Sequence, residues 1–259
     1  MQKYLDQLNN SILLSNVPKR IVSLVPSITE LLVDLGLEDS IVGITKFCDE
    51  PIYLKSKCQI IGGTKNVNVL KIKNLKPDIV IANKEENIKE DIDKIQIFTN
   101  VWISDVKNLK DNLDLIQKLG ELFGKEIKSK EIILKTNNIV NSIPILKSKN
   151  NKVLYLIWKK PYMSVGKDTF ISYIIDMLGF ENVIKDIRYP IIDLETYKNV
   201  DYVFLSSEPY PFSEKDKTEL QSIFQKSKIL FVDGSYFSWY GSRFLKSFDY
   251  FNFLFTNLD

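Results

Sequence analysis

The chain has 259 residues, 44% hydrophobic and 26% charged, with a net charge of +2. That is enough to bury a core, in one large domain or two lobes. It is too little positive charge, with no basic stripe between aromatics, to suit nucleic acid. There is no histidine, which excludes Ser-His-Asp and Cys-His catalysis, imidazole general bases, histidine-based zinc sites and an imidazole ligand to a haem iron or corrinoid cobalt.

The opening stretch, MQKYLDQLNNSILLSNVPKR, has no apolar run of signal-peptide length, because Ser11–Ser15 is too short. As the sequence stands the expected location is cytoplasmic; if a signal was removed, periplasmic. No run of about 18 apolar residues marks a membrane span. Residues 20–36, RIVSLVPSITELLVDLG, then read as strand, tight turn and helix. Ile21 to Val25 form the strand and Ser27-Ile28-Thr29-Glu30 a capping box. Leu31, Leu32 and Leu35 follow at helical spacing, with Gly36 as the stop. This puts a helix N-terminus at the carboxyl end of a strand, where open α/β sheets bind ligands.

The same grammar continues with strands at 41–44, 78–82 and 100–103 and helices at 68–75 and 85–97. Helical pattern runs from 106 to 123 and, after Gly120 and Gly124, from 125 to 142. By pattern alone this is two packed helices. The second half restarts the alternation, with strands at 153–157, 201–205 and 229–232 and helices at 168–178, 214–225 and 239–253. Strands alternating with helices imply parallel sheets. The fold class is therefore α/β, with two lobes, each with a parallel-type sheet and flanking helices. The divisions fall at 1–105, 106–145 (a helical linker) and 146–259.

Cys48 and Cys58 sit in no CxxC, so two buried or partly exposed free thiols are expected. Three aromatic loops follow strands of the second half: Trp158-Lys159-Lys160-Pro161-Tyr162-Met163, Ser207-Glu208-Pro209-Tyr210-Pro211-Phe212, and Tyr236 to Arg243. In a parallel sheet they share the carboxyl edge. Rings there suit a large, flat, partly apolar ligand, such as a corrin, a porphyrin or an aromatic siderophore. Arg243 adds a planar charge for a carboxylate, a phosphate or a ring, and lies four residues from Trp239 on an expected last helix. The ligand-facing candidates are Trp158, Tyr162, Glu208, Tyr210, Tyr236, Trp239, Tyr240 and Arg243. From the first half they are Pro26, Ser27, Phe47, Cys48 (a small apolar rim residue or a soft-metal thiolate) and Thr64, with Gly62-Gly63 allowing close backbone approach. No catalytic residue and no metal ligand set is assigned.

RIVSLVPSITELL, GGTKNVNVLKIKNLKPDIVIA and the late SWYGSR resemble the periplasmic-binding-protein family that carries vitamin B12 and ferric siderophores, and within it the cobalamin-binding branch. The resemblance runs from about Arg20 to near the C-terminus. It implies two lobes joined by one long backbone helix over 106–145, with a ligand cleft between them. It also implies a non-catalytic substrate-binding protein of ABC-transporter type, monomeric and without cofactor. The implied ligand is a corrinoid first, a ferric siderophore or haem next. Trp239 then falls near a pocket-lining aromatic, and Thr64 stands where relatives carry one. Glu195, opening LETYKN, matches a permease-docking acid. The corresponding first-lobe position falls near Leu70 or Lys71, neither acidic, which sets this chain apart from the two-glutamate pattern. A cytoplasmic corrinoid- or metal-handling enzyme or chaperone, and an interaction protein with an aromatic rim, remain open at this level.

Overall fold

The computed structural model describes residues 1–143, 145–146 and 151–258. The chain forms two compact units: Met1–Asn137 with Tyr240–Leu245, and Asn138–Trp239 with Lys246–Asp259. The expected division at 106 and 145 differs from this. The helices after residue 106 belong largely to the first unit, and six residues near the C-terminus return to it.

The first unit opens with a hairpin of β1 (Gln2–Leu5) and β2 (Ser11–Leu14), with Gln2 opposite Leu14. Its turn residue Asp6 is fully buried. The Asp6 carboxylate accepts the Leu8 and Asn10 N–H groups at 2.9 and 2.7 Å and that of Ile103 at 3.3 Å. The main elements follow as β3 (Ile21–Ser23), α1 (Pro26–Asp34), β4 (Ile41–Ile44), α2 (Leu54–Lys57) and β5 (Gln59–Ile60). Next come a small hairpin of β6 (Gly62–Gly63) and β7 (Asn66–Val67), then α3 (Val69–Asn74), β8 (Ile79–Asn83), α4 (Lys89–Gln96) and β9 (Asn100–Ser104). The sheet order is β5-β4-β3-β8-β9, parallel throughout. The runs IVS and IVIAN are buried at every position, as expected of strands covered on both faces. Gln7 donates its N–H to the Ile103 carbonyl at 3.1 Å, so the hairpin turn caps the edge strand β9 and blunts its pairing potential.

Two expectations fail here for identifiable reasons. The capping box at Ser27–Glu30 does not form: Val25 is the N-cap, Pro26 opens α1, and no side chain caps it. Proline suits that first position because the missing N–H would have had no helical partner. Glu30 instead turns inward to an arginine, described below. A helix does run from the first unit into the second, but the single unbroken span implied over 106–145 is not formed. In its place are α5 (Leu109–Leu122) and α6 (Glu126–Ser142). Gly124 separates them at φ 63, a left-handed conformation that favours glycine. The Lys125 N–H reaches back to the Gly120 carbonyl at 2.7 Å. A Cβ on Gly120 would lie 2.5 Å from Ser129 Cβ, so the two helices meet there at close range.

The second unit contains β10 (Lys152–Trp158), β11 (Met163–Ser164), α7 (Phe170–Met177), β12 (Glu181–Asn182), β13 (Tyr202–Ser206), α8 (Glu214–Ile223), β14 (Lys228–Val232), α9 (Ser235–Ser238) and α10 (Ser247–Thr256). The sheet runs β11-β10-β13-β14, with β12 also on β10. Strands β10, β13 and β14 are parallel, with Leu156 beside Leu205 and Leu205 beside Phe231. One core packs Leu154, Leu156, Val203, Leu205, Leu220 and Phe224. The expected last helix at 239–253 is really two pieces, a 3-10 turn at Gly241–Lys246 and then α10. No helix among the described residues is long and apolar enough to cross a membrane.

Candidate functional site

Because β10, β13 and β14 run parallel, the loops that leave them open on one edge, and each is tied to its neighbour. After β10, the chain turns back into β11 through Lys159 to Tyr162, with Trp158 paired to Met163. Trp158, 39% exposed, stands edge-on to Tyr210 at 5.7 Å between ring centroids. Tyr210 stands edge-on to Phe212 at 4.8 Å. Such crossed ring pairs are attractive beyond their buried area. Tyr162 packs partly on the core, and its burial pushes the phenol above its ordinary range.

Glu208 accepts the Ser238 hydroxyl at 2.6 Å and the Trp239 indole N–H at 3.0 Å, which joins the second loop to the third. Tyr236 lies flat on Tyr250 of α10 at 4.2 Å and 6°, so one of its faces is taken by the protein. Trp158, Tyr162, Glu208, Tyr210, Tyr236 and Trp239 therefore share one edge, as expected.

The anchor of the first loop was not foreseen. Lys159 directs its ammonium to Asp216 at 2.7 Å and Glu219 at 2.6 Å on α8, with the lysine and Asp216 side chains 8% and 9% exposed. Asp216 also accepts the Ser213 N–H at 2.8 Å, completing a capping box for α8. Its hydrogen bonds, first from Lys159 and then from Ser213, hold the carboxyl at about 2. Ser213-Glu214-Lys215-Asp216 carries the capping-box signature in the sequence; no sequence signal pairs it with Lys159.

On the first unit, the carboxyl edge carries Phe47, 47% exposed with the Lys46 ammonium 4.9 Å from its ring centroid. Thr64 is half-buried there, its carbonyl accepting from Asn87 at 3.0 Å. The turn after β8 is organised by Asn83, whose side chain accepts the Glu85 and Glu86 N–H groups at 2.7 and 3.0 Å. Several candidates lie beneath this edge. Pro26 and Ser27 are buried. Cys48 is fully buried between the Thr29 and Thr45 hydroxyls, at 3.2 and 3.4 Å, and is a free thiol, as is Cys58. Burial pushes the Cys48 thiol up, so the rim or soft-metal role considered for it is corrected to a core residue.

Tyr240 and Arg243 need a larger correction. Both are buried, at 4% and 5% exposure, and both belong to the first unit, whereas Trp239 belongs to the second. The Arg243 Nε lies 3.0 Å from Glu30 of α1. The Tyr240 hydroxyl donates to Glu86 at 3.3 Å. Burial first, and the Glu86 charge second, push this phenol well above its ordinary range. Asn112 of α5 clamps Gly241 between them, accepting its N–H at 2.5 Å and donating to its carbonyl at 3.2 Å. The segment is an internal tie, and Arg243 does not share a helical face with Trp239. Glu195 lies in a 3-10 turn, exposed and paired with Lys198 at 2.5 Å. Leu70 is 68% exposed on α3, beside an exposed Lys71.

Residues 21–230 match the Periplasmic binding protein family. The chain belongs to this family. Its relatives include the uncharacterised ABC transporter substrate-binding lipoprotein YvrC of Bacillus subtilis, 29% identical over 70% of this chain and 60% of that protein. The vitamin B12-binding protein of Vibrio vulnificus is 33% identical over 40% of this chain and 38% of its own length. The alignments thus span less than two thirds of these two relatives. Among solved structures, a possible iron-binding, periplasmic solute-binding protein of Staphylococcus epidermidis is 25% identical with a TM-score of 0.74, covering 90% of this chain and 96% of that one. The periplasmic haem-binding protein of Vibrio cholerae, 18% identical, gives a TM-score of 0.77 over 91% and 98%. The family is the one the sequence motifs implied, and so is the α/β class of parallel sheets with flanking helices.

Proposed function

We propose that this chain is the substrate-binding component of an ABC-type importer for a corrinoid, cobalamin-like ligand, that it works with a membrane permease, and that it carries out no chemistry on its cargo. The observation that carries the reading is the carboxyl edge of the second unit, where Trp158, Tyr162, Tyr210, Tyr236 and Trp239 lie at the ends of three parallel strands and Glu208 accepts the Trp239 indole N–H. Rings pre-packed on a rigid sheet offer a large apolar contact at low entropic cost, with phenol, indole and carboxylate groups to orient polar substituents. A vitamin B12-binding relative supports the corrinoid. A ferric chelate or haem is the second reading, supported by iron- and haem-binding structural relatives.

Titration with cobalamin, cobinamide, haem and ferric siderophores, followed by tryptophan emission, tests it. Saturable quenching by cobalamin or cobinamide is expected, because two of the three tryptophans, Trp158 and Trp239, lie on this edge. Quenching only by haem or a ferric chelate selects the second reading. No quenching by any of the four overturns both. The bound chromophore should be recovered unchanged after incubation; a changed absorption spectrum would point to a corrinoid-handling enzyme.

A further inference from the structure

The contacts along the second unit's edge close into a ring. Trp158 touches Tyr210 at 5.7 Å and Tyr210 touches Phe212 at 4.8 Å. Phe212 is followed by Ser213, whose N–H and hydroxyl both donate to Asp216 at 2.8 and 2.7 Å. Asp216 accepts from Lys159 at 2.7 Å, and Lys159 follows Trp158 in the chain. Glu219 braces the same ammonium from the next turn of α8. Two of the links are covalent, two are ring contacts and the rest are hydrogen bonds. The end of β10 that carries Trp158 and the loop that carries Tyr210 are thus both bonded to the start of α8, which fixes the backbone on either side of the ring pair.

We propose that Lys159 is a positioning residue that locks the Trp158–Tyr210 pair in a binding-ready orientation by tying its loop to the capped start of α8. This rests on the reading of the aromatic edge as the ligand surface. The lysine itself is 8% exposed and spends its ammonium on two carboxylates, so it acts through the rings and not by touching cargo. Those bonds raise its pKa above the ordinary lysine range, so the tie persists across physiological pH. Holding two large side chains before the ligand arrives removes an ordering cost that binding would otherwise meet. Methionine at 159 keeps the apolar stem and deletes the charge. Arginine keeps the charge and can bridge two carboxylates.

The test uses the full chain labelled with 5-fluorotryptophan, whose three fluorine resonances report Trp102, Trp158 and Trp239 separately once Trp→Phe variants assign them. In Lys159→Met the Trp158 resonance should shift and broaden while the buried Trp102 stays in place. Affinity for the quenching corrinoid, or for whichever of the four probes binds, should fall about tenfold. Lys159→Arg should restore both. An unchanged Trp158 resonance in Lys159→Met overturns the positioning role whatever the ligand. So does a methionine variant that binds as tightly as the parent. If the parent binds none of the four probes, the ligand reading has failed, and the fluorine spectrum still decides whether Lys159 orients the ring. Lys159→Met that melts far below Lys159→Arg with all three resonances disturbed would mark Lys159 as a general structural residue and overturn the proposal as well.

Discussion

A guanidinium with almost no solvent needs a carboxylate, and Arg243 finds one in Glu30 instead of in a ligand. Removing one member of such a pair leaves the other charge buried and uncompensated, at a cost of about 3–5 kcal/mol. Arg243→Met should therefore lower stability in urea by about that amount, with ligand affinity unchanged. Replacing Glu30 by methionine in the same chain should recover much of the loss, because the orphaned carboxylate is gone. If Arg243→Met abolishes binding with stability intact, Arg243 faces the ligand after all. The sequence could not show this pairing. Glu30 reads as a capping-box acid and Arg243 as a ligand-facing cation at the start of the last helix, and 213 positions of chain separate them. Cys48 illustrates the opposite case. A small apolar side chain next to a strand end fits a rim or a core equally well, and burial by Thr29 and Thr45 decided for the core.

At the scale of elements, α8 is held at its start by Asp216, which serves both its own capping box and the Lys159 tie. The folded carboxyl sits at about 2, below the ordinary 3.8. A carboxyl depressed by folding stabilises the fold fully above its unfolded value. That stabilisation is lost as pH falls from about 4 towards 2. The melting temperature of the parent should thus drop through this window more steeply than that of Asp216→Asn, and the two should converge near pH 2. Parallel curves from pH 5 to 2 would show that Asp216 contributes no linkage. Strands, most helices and their order were legible because apolar runs and helical spacing are local signals. The break between α5 and α6 was legible too, in Gly124, when the pattern was taken by itself; the resemblance pointed to one long helix instead. The opening hairpin β1–β2 was missed. Its strands are four residues each, and what fixes them is Asp6 and Gln7 bonding to β9, nearly a hundred residues away.

For the whole molecule, a net charge of +2 gives no strong field to steer a partner, so the proposed permease contact rests on local charges. Glu195 is exposed, whereas α3 presents Leu70 and Lys71. A single acidic point can attract a cationic patch, but a symmetric clamp needs two, and misplaced like charges are costly. Glu195→Ala should reduce ligand uptake in cells that carry the cognate permease and leave ligand affinity in solution unchanged. Uptake indifferent to Glu195 would sink its docking role. The sequence alone determined the family, the α/β alternation, the absence of imidazole chemistry and the aromatic edge of the second unit, because each depends on composition or on residues close together in the chain. Only the tertiary structure decided which late residues face outward. Trp239 stays with the aromatic loops through Glu208, and the next residue, Tyr240, begins a segment buried in the other unit by Glu86, Asn112 and Glu30. Neighbours in sequence carry no information about such a division, since it is set by partners brought together from distant parts of the chain.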